Sequence, residues 1–205
     1  MTNNGHNELI LLPGLFCDAR LRAAQVETLT KLARTQIPDF WIGESIEAMA
    51  DAVLGQAPSQ FAPAGFSMGG LVALEVLARV PERVCRLALL STNASGLLPP
   101  VRRHLQDSIA VIEAGGLDDY LLDAFPLYVA PRRAHDHALL EVFSDMAKRV
   151  GLVVGVRQMR ALLDYERIIH CGTQREAPGR IRADPVFRTD PPCASRPLNV
   201  TSTHQ

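Results

Sequence analysis

The sequence is poor in aromatic residues, at 5%, and its formal net charge is only −1 at pH 7. A balance so close to zero gives no electrostatic argument for nucleic acid or for an anionic membrane surface as a partner. Long apolar runs are missing too, since none approaches the ~18 consecutive residues of a membrane-spanning helix. Residues 1–8 lack the basic and apolar regions of a secretory signal. The 4 cysteines, Cys17, Cys85, Cys171 and Cys193, are scattered with no CxxC pair. Without a signal they read as reduced thiols, and the expected location is cytoplasmic. What is present is 205 residues at 47% hydrophobic. That excludes wholesale disorder and suggests one domain whose core needs no disulfide or metal staple.

Residues 8–13 (ELILLP) form a short apolar run stopped by Pro13 and Gly14, which suits a buried strand of a parallel sheet. Leu21, Val26, Leu29 and Leu32 make a helical stripe. Residues 37–42 offer a short strand that Pro38 weakens. Ser45 is placed to cap a helix over 46–54. A strand over 61–66, a helix over 68–80 ending at Pro81, and a strand over 84–90 follow. Alternating strands and helices imply βαβ units and a parallel sheet.

From Leu97 the pattern becomes helical only, with helices expected over 101–113, 117–125, 133–150 and 152–164. Gly115, Gly116 and Pro131 mark the breaks. This stretch reads as a helical insertion over the sheet. From Tyr165 the texture changes again. Arg167, Arg175, Arg180, Arg182, Arg188 and Arg196 appear without lysine, among Pro178, Pro185, Pro191, Pro192 and Pro197. Only Ile168 and Ile169 hint at a strand, so residues 165–205 read as an irregular tail.

Gly65-Phe66-Ser67-Met68-Gly69 fits G-x-S-x-G between an expected strand and an expected helix, the arrangement of a nucleophile elbow. A serine on so tight a turn needs neighbours without bulk, hence Gly65 and Gly69. The backbone N–H of Met68 at the helix start can face a developing oxyanion. The loop after the first strand, Pro13-Gly14-Leu15-Phe16-Cys17-Asp18, lies where open α/β sheets hold ligands. Gly14 would let the N–H of Leu15 serve as a second oxyanion donor.

LILLPGLFCDARL (9–21), AGFSMGGLVALEVLARVPERVCRLALL (64–90) and RVGLVVGVRQMRALL (149–163) together resemble the α/β-hydrolase superfamily, over residues 8–164. The similarity is to small, cytosolic bacterial-type hydrolases with a helical cap. The resemblance implies a three-layer α/β/α parallel sheet, as core 8–96, cap 97–164 and an atypical segment 165–205. It implies ester, thioester or related acyl chemistry on a small apolar substrate, through an acyl-enzyme on Ser67. It implies no cofactor and no metal. Leu121, Leu122, Phe125, Leu127 and Tyr128 could line an apolar pocket or simply pack.

The family's acid and histidine follow the serine in the order Ser…Asp…His, and neither context is found here. Asp184 or Asp190 with His204 satisfies chain order alone, and His170 breaks that order. The alternative acid position after the 84–90 strand reads Ser91-Thr92-Asn93. Without a base a serine hydroxyl is a weak nucleophile, so a feeble or absent activity is expected. The change near residue 164 is what a frameshift, altered splice or early stop would leave. Loss of the last strands would expose a sheet edge and favour self-association. A pseudo-hydrolase binding through its cap is a further alternative.

Other candidates are weaker. In His135-Asp136-His137 the two histidines do not share a helix face, so a solvated patch is expected rather than a metal site. His6 and His104 stand alone. Cys17 lacks a placed base and is expected to line the pocket. Asp118 and Asp119 read as a helix N-terminal pair. The arginines of 165–205 have no interleaved aromatics that would suggest RNA.

Overall fold

The structure, a computed structural model, describes residues 8–41, 43–94, 96–165 and 200–203. His6, Ile168, Ile169, His170, Cys171, Asp184, Asp190, Cys193 and His204 lie outside these.

Five parallel strands form one sheet in the order β2-β1-β3-β4-β5. They are β1 (Glu8–Leu12), β2 (Arg34–Gln36), β3 (Ala62–Phe66), β4 (Leu87–Leu90) and β5 (Val200–Thr203). The central strands are short apolar runs because both sheet faces are covered. Leu9 to Leu12 pair with Ala62 to Gly65, and Ala64 to Phe66 pair with Ala88 to Leu90. The chain steps from β1 to β2 on one side and continues from β3 to β4 on the other. The switch therefore falls between β1 and β3, where the loops at their carboxyl ends meet, the position at which open α/β sheets bind ligands.

Helices α1 (Ala23–Leu29), α2 (Ile46–Gln56) and α3 (Met68–Arg79) belong to this half of the chain. The Ser45 hydroxyl caps α2 by accepting the Ala48 N–H at 3.1 Å. α3 is apolar nearly all round, and Val72, Ala73, Leu74, Val76 and Leu77 are all buried. Each larger side chain contributes roughly 1.5–3 kcal/mol of burial. Glu75 is buried on the same helix, bound by Arg79 at 2.8 Å, and the Tyr165 hydroxyl donates to it at 3.3 Å.

Four further helices follow: α4 (Pro99–Glu113), α5 (Leu117–Tyr128), α6 (His137–Val150) and α7 (Leu152–Asp164). They enclose a second apolar cluster that includes Ile112, Leu121, Ala147 and Met159 together with Phe16 from the loop after β1. Trp41 and Leu162 pack against both clusters. No helix among the described residues is long and apolar enough to cross a membrane.

Several sequence expectations shift. The strand expected over 37–42 lies earlier, at Arg34–Gln36, where polar residues pair with Glu8 to Ile10 at the sheet edge. Pro38 has no N–H for the ladder, so pairing ends before it. The stripe of Leu21 to Leu32 is not a single buried face: a 3-10 turn (Ala19–Arg22) precedes α1, Leu32 is 60% exposed and Arg22 is buried instead. The helix expected from residue 133 starts at His137, because the Asp136 carboxylate accepts the Leu139 N–H and caps it there. Val200–Thr203 supplies a strand beside β4 that periodicity did not reveal.

Candidate active site

Ser67 joins β3 to α3 with φ 52° and ψ −118°, a backbone that non-glycine residues rarely adopt. Its neighbours make that turn feasible. A Cβ on Gly65 would stand 2.3 Å from the Gly69 carbonyl oxygen, and one on Gly69 would stand 2.3 Å from the Leu12 carbonyl oxygen. Both glycines are thus demanded by close backbone approach between β1, β3 and α3. The turn is bonded at both ends: the Ser67 N–H donates to the Leu90 carbonyl, and the Ser67 carbonyl accepts the Gly70 N–H, each at 2.9 Å.

Thr92 completes the brace. Its buried hydroxyl lies 3.1 Å from the Ser67 carbonyl and 3.2 Å from the Leu90 carbonyl. It sits over Gly70, where a Cβ would meet the hydroxyl at 1.9 Å. The sequence marked position 92 only as a place without a carboxylate, and the turn it supports lies 25 residues away.

The loop after β1 packs against the serine. A Cβ on Gly14 would be 3.0 Å from the Phe66 ring and 3.3 Å from the Ser67 Cβ. The Cys17 N–H closes this loop on the Gly14 carbonyl at 3.1 Å, and the Cys17 thiol reaches the Leu15 carbonyl at 3.2 Å. Burial pushes the Cys17 thiol up to about 12, so it stays protonated at neutral pH. Phe16 has φ 56° and carries its ring away from the loop onto Gly155 of α7, where a Cβ would fall 1.8 Å from the ring. The ring also meets Tyr120 of α5 at 5.9 Å between centroids.

Gln158 of α7 is fully buried, and its side-chain oxygen accepts the Phe16 N–H at 3.0 Å. Arg22, 6% exposed, stacks on the Phe66 ring with its guanidinium carbon 5.4 Å from the ring centre. The roles of Thr92, Gln158, Phe16 and Arg22 escaped the sequence reading, since each acts through contacts distant in the chain.

Ser67, Met68, Gly65, Gly69 and the Leu15 loop therefore converge on the switch point. Met68 is the first residue of α3, where a helix N–H has no partner within its own helix. The triad candidates Asp184, Asp190, His204 and His170 lie outside the described residues. Among the described residues, no side chain hydrogen-bonds the Ser67 hydroxyl, and His104, His135 and His137 are exposed on α4 or at the start of α6. Asp136 is committed to its cap and to Arg133 at 2.7 Å, and Asp118 pairs with Lys148 at 2.7 Å in the first turn of α5. No cluster of metal-ligating residues occurs among the described residues. Of the five proposed cap-lining residues, Leu121 and Phe125 pack inside, whereas Leu122, Leu127 and Tyr128 are 56%, 71% and 49% exposed.

No protein-family model matches the chain. A pimeloyl-[acyl-carrier protein] methyl ester esterase of Pectobacterium carotovorum is 30% identical over 122 residues, covering 52% of this chain and 48% of that protein. The chain spans half or less of the length of the curated relatives it matches. The enol-lactonase of Burkholderia xenovorans superposes with a TM-score of 0.67 at 20% identity, over 80% of this chain and 67% of that one. An alpha/beta hydrolase enzyme from a Medee basin deep-sea metagenome library gives a TM-score of 0.64 at 15% identity, over 80% and 66% of the two chains. The chain has the α/β-hydrolase fold.

Proposed function

We propose that this chain acts on an ester or thioester of a small apolar acyl group, with Ser67 as the nucleophile. The observation that carries this reading is the backbone of Ser67, held at φ 52° at the head of α3 beside the loop after β1. The Ser67 Oγ attacks the carbonyl carbon, and the carbonyl electron pair moves onto oxygen. The N–H groups of Leu15 and Met68 stabilise that oxyanion. Its collapse expels the alcohol or thiol with a proton and leaves an acyl-enzyme, which water releases as the acid. The likeness to a methyl ester esterase supports the ester class. The chemistry requires no cofactor, metal, nucleic acid or membrane, and it is assigned to the cytoplasm.

The two apolar clusters support a division into core 8–96 and cap 97–164. Where residues 165–205 are described they join the core, since Tyr165 packs in its cluster and Val200–Thr203 pairs with β4. Self-association would use the outer edge of β2 or β5, the terminal strands of the sheet.

A second reading, a catalytically inactive member of the same lineage, is favoured by the unpaired Ser67 hydroxyl among the described residues. An oxyanion site without a base still leaves roughly 10³–10⁴-fold acceleration over water. Two measurements decide between the readings. Fluorophosphonate labelling of the wild type, absent in Ser67→Ala, is expected if the serine is activated. Steady-state hydrolysis of p-nitrophenyl butyrate should then be slow and lost in the same variant. Equal rates in wild type and Ser67→Ala would overturn the nucleophile assignment.

A further inference from the structure

Arg22 is a cation taken out of water with no anion placed against it among the described residues. It ends the 3-10 turn that follows the loop after β1, and it is 6% exposed. Its Nε and Nη2 atoms are buried and have no hydrogen-bond partner. The nearest acid in sequence, Asp18, is occupied by Arg20 at 2.7 Å. The Cys17 thiol, the other titratable group that acts on Arg22, is kept protonated by burial and so supplies no negative charge at neutral pH. Desolvation pulls the guanidinium below its usual range, but from so high a starting value that it stays charged at neutral pH. An uncompensated buried charge is strongly unfavourable, and the two-pronged guanidinium edge matches a carboxylate.

Its position says what the anion belongs to. The guanidinium stacks on the Phe66 ring, and Phe66 is the residue before Ser67. The same ring and the Ser67 Cβ pack closely against Gly14. Arg22, Phe66, Gly14 and Ser67 thus form one contiguous cluster at the switch point.

We propose that Arg22 is a specificity residue for the reaction at Ser67, binding the free carboxylate of a substrate whose acyl chain is a dicarboxylic acid esterified at its other end. The proposal rests on the nucleophile reading for the reaction, though not for the binding of the carboxylate. Methylene groups of such a chain would lie on the half-buried Phe66 ring, and the distal carboxylate would open the packing that now closes over Nε and Nη2 in order to pair with them. A neutral acyl chain of equal length would leave the guanidinium as unpaired as it is in the free protein. Discrimination therefore follows from the pairing that only the anionic chain supplies.

The test uses the full chain and two series of probes. The mono-p-nitrophenyl esters of succinate, glutarate and adipate are compared with neutral p-nitrophenyl butyrate, valerate and hexanoate. The wild type should favour one of the anionic esters, and the Arg22→Met variant should lose roughly 30-fold or more of kcat/KM for that ester with little change for the neutral ones, the size set by losing a desolvated charge partner. Arg22→Lys should retain part of the preference. Arg22→Met should melt at or above the wild-type temperature when no ligand is present, which shows that it folds.

Binding is read separately by titrating monomethyl adipate and monomethyl glutarate into Ser67→Ala, with and without Arg22→Met. Binding lost with Arg22, even where fluorophosphonate fails to label Ser67, supports the anion subsite while the nucleophile reading falls. A labelled Ser67 with no preference for anionic over neutral esters in the wild type overturns the subsite and leaves the nucleophile standing. Carboxylate binding undiminished in Arg22→Met overturns it as well.

Discussion

The side-chain oxygen of Gln158 accepts the backbone N–H of Phe16 at 3.0 Å, joining residues 142 positions apart. Through this bond the last described helix fixes the loop that lies against Ser67. The helices α4–α7 therefore do more than cover the sheet, because one of them sets the backbone of the loop that holds the proposed Leu15 donor.

Replacing Gln158 with leucine leaves the buried Phe16 N–H without an acceptor. Such a loss costs about 1–3 kcal/mol. The expected outcome is a lower urea midpoint together with slower fluorophosphonate labelling of Ser67, since the loop is released. Glutamine's own Nε2 is buried without a partner, so its removal offsets part of the stability loss but none of the labelling loss. A variant that loses stability while labelling at the wild-type rate would show that Gln158 does not position the loop.

Thr92→Val keeps the shape over Gly70 and deletes the hydroxyl that serves the Ser67 and Leu90 carbonyls. Both carbonyls keep a backbone donor, from Gly70 and from Ser67 respectively. The expected cost is therefore about 1 kcal/mol, read by chemical denaturation. The larger effect should fall on Ser67 labelling, because the strained turn loses one of its restraints. Thr92→Ser should restore the labelling.

The elbow was legible because its requirements are local: a serine on a tight turn needs Gly65 and Gly69 within two residues, and the strand before it and the helix after it carry apolar patterns. The parallel sheet was legible for the same reason, in runs such as residues 9–12 and 87–90. What could not be read was chosen by distance in space. β2 is a polar edge strand of three residues, so no apolar alternation marks it, and the apolar residues of 37–42 drew attention to the wrong segment despite Pro38. Arg22 sits one residue from Leu21, which periodicity placed inward, yet a 3-10 turn rotates the arginine into the protein instead. Gln158 and Thr92 look like ordinary polar residues until their acceptors and donors, far along the chain, are seen.

Acid should loosen the contact between the helical layer and the loop after β1. The Arg20 guanidinium bridges Asp18 and Asp145. Hydrogen bonding to Arg20, aided by Arg149, holds the Asp145 carboxyl below its ordinary 3.8. Burial acts to raise Asp18, but the Arg20 bonds outweigh it and its carboxyl is also lowered. Depressed folded-state values mean that the stabilisation is fully present above pH ~3.8 and is lost as pH falls through the lower folded values. Asp145→Asn should lack that contribution at neutral pH. The Tm difference between it and the wild type should shrink as the pH is lowered below 3.8, and concentrated NaCl should shrink it at neutral pH, because Asp145 is solvent-exposed. A difference that persists unchanged at pH 2 would remove the electrostatic account.

The strain at Ser67 predicts an inversion of the usual cost of glycine. At φ 52° and ψ −118° a residue with a Cβ pays on the order of 1–3 kcal/mol, whereas glycine takes such a backbone readily. Ser67→Ala keeps the Cβ and so keeps the strain. Ser67→Gly relieves it, against a glycine entropy penalty of roughly 0.5–1 kcal/mol. The glycine variant should therefore be the more stable of the two by about 1 kcal/mol, a rise in Tm of roughly 2–4 °C for a chain of this size. Both variants lack the hydroxyl, so the comparison isolates the backbone from the chemistry. If the alanine variant proves the more stable, the turn carries no strain. The serine would then lie on an ordinary strand-to-helix connection, and the case for an elbow that presents it to a substrate would fail with it.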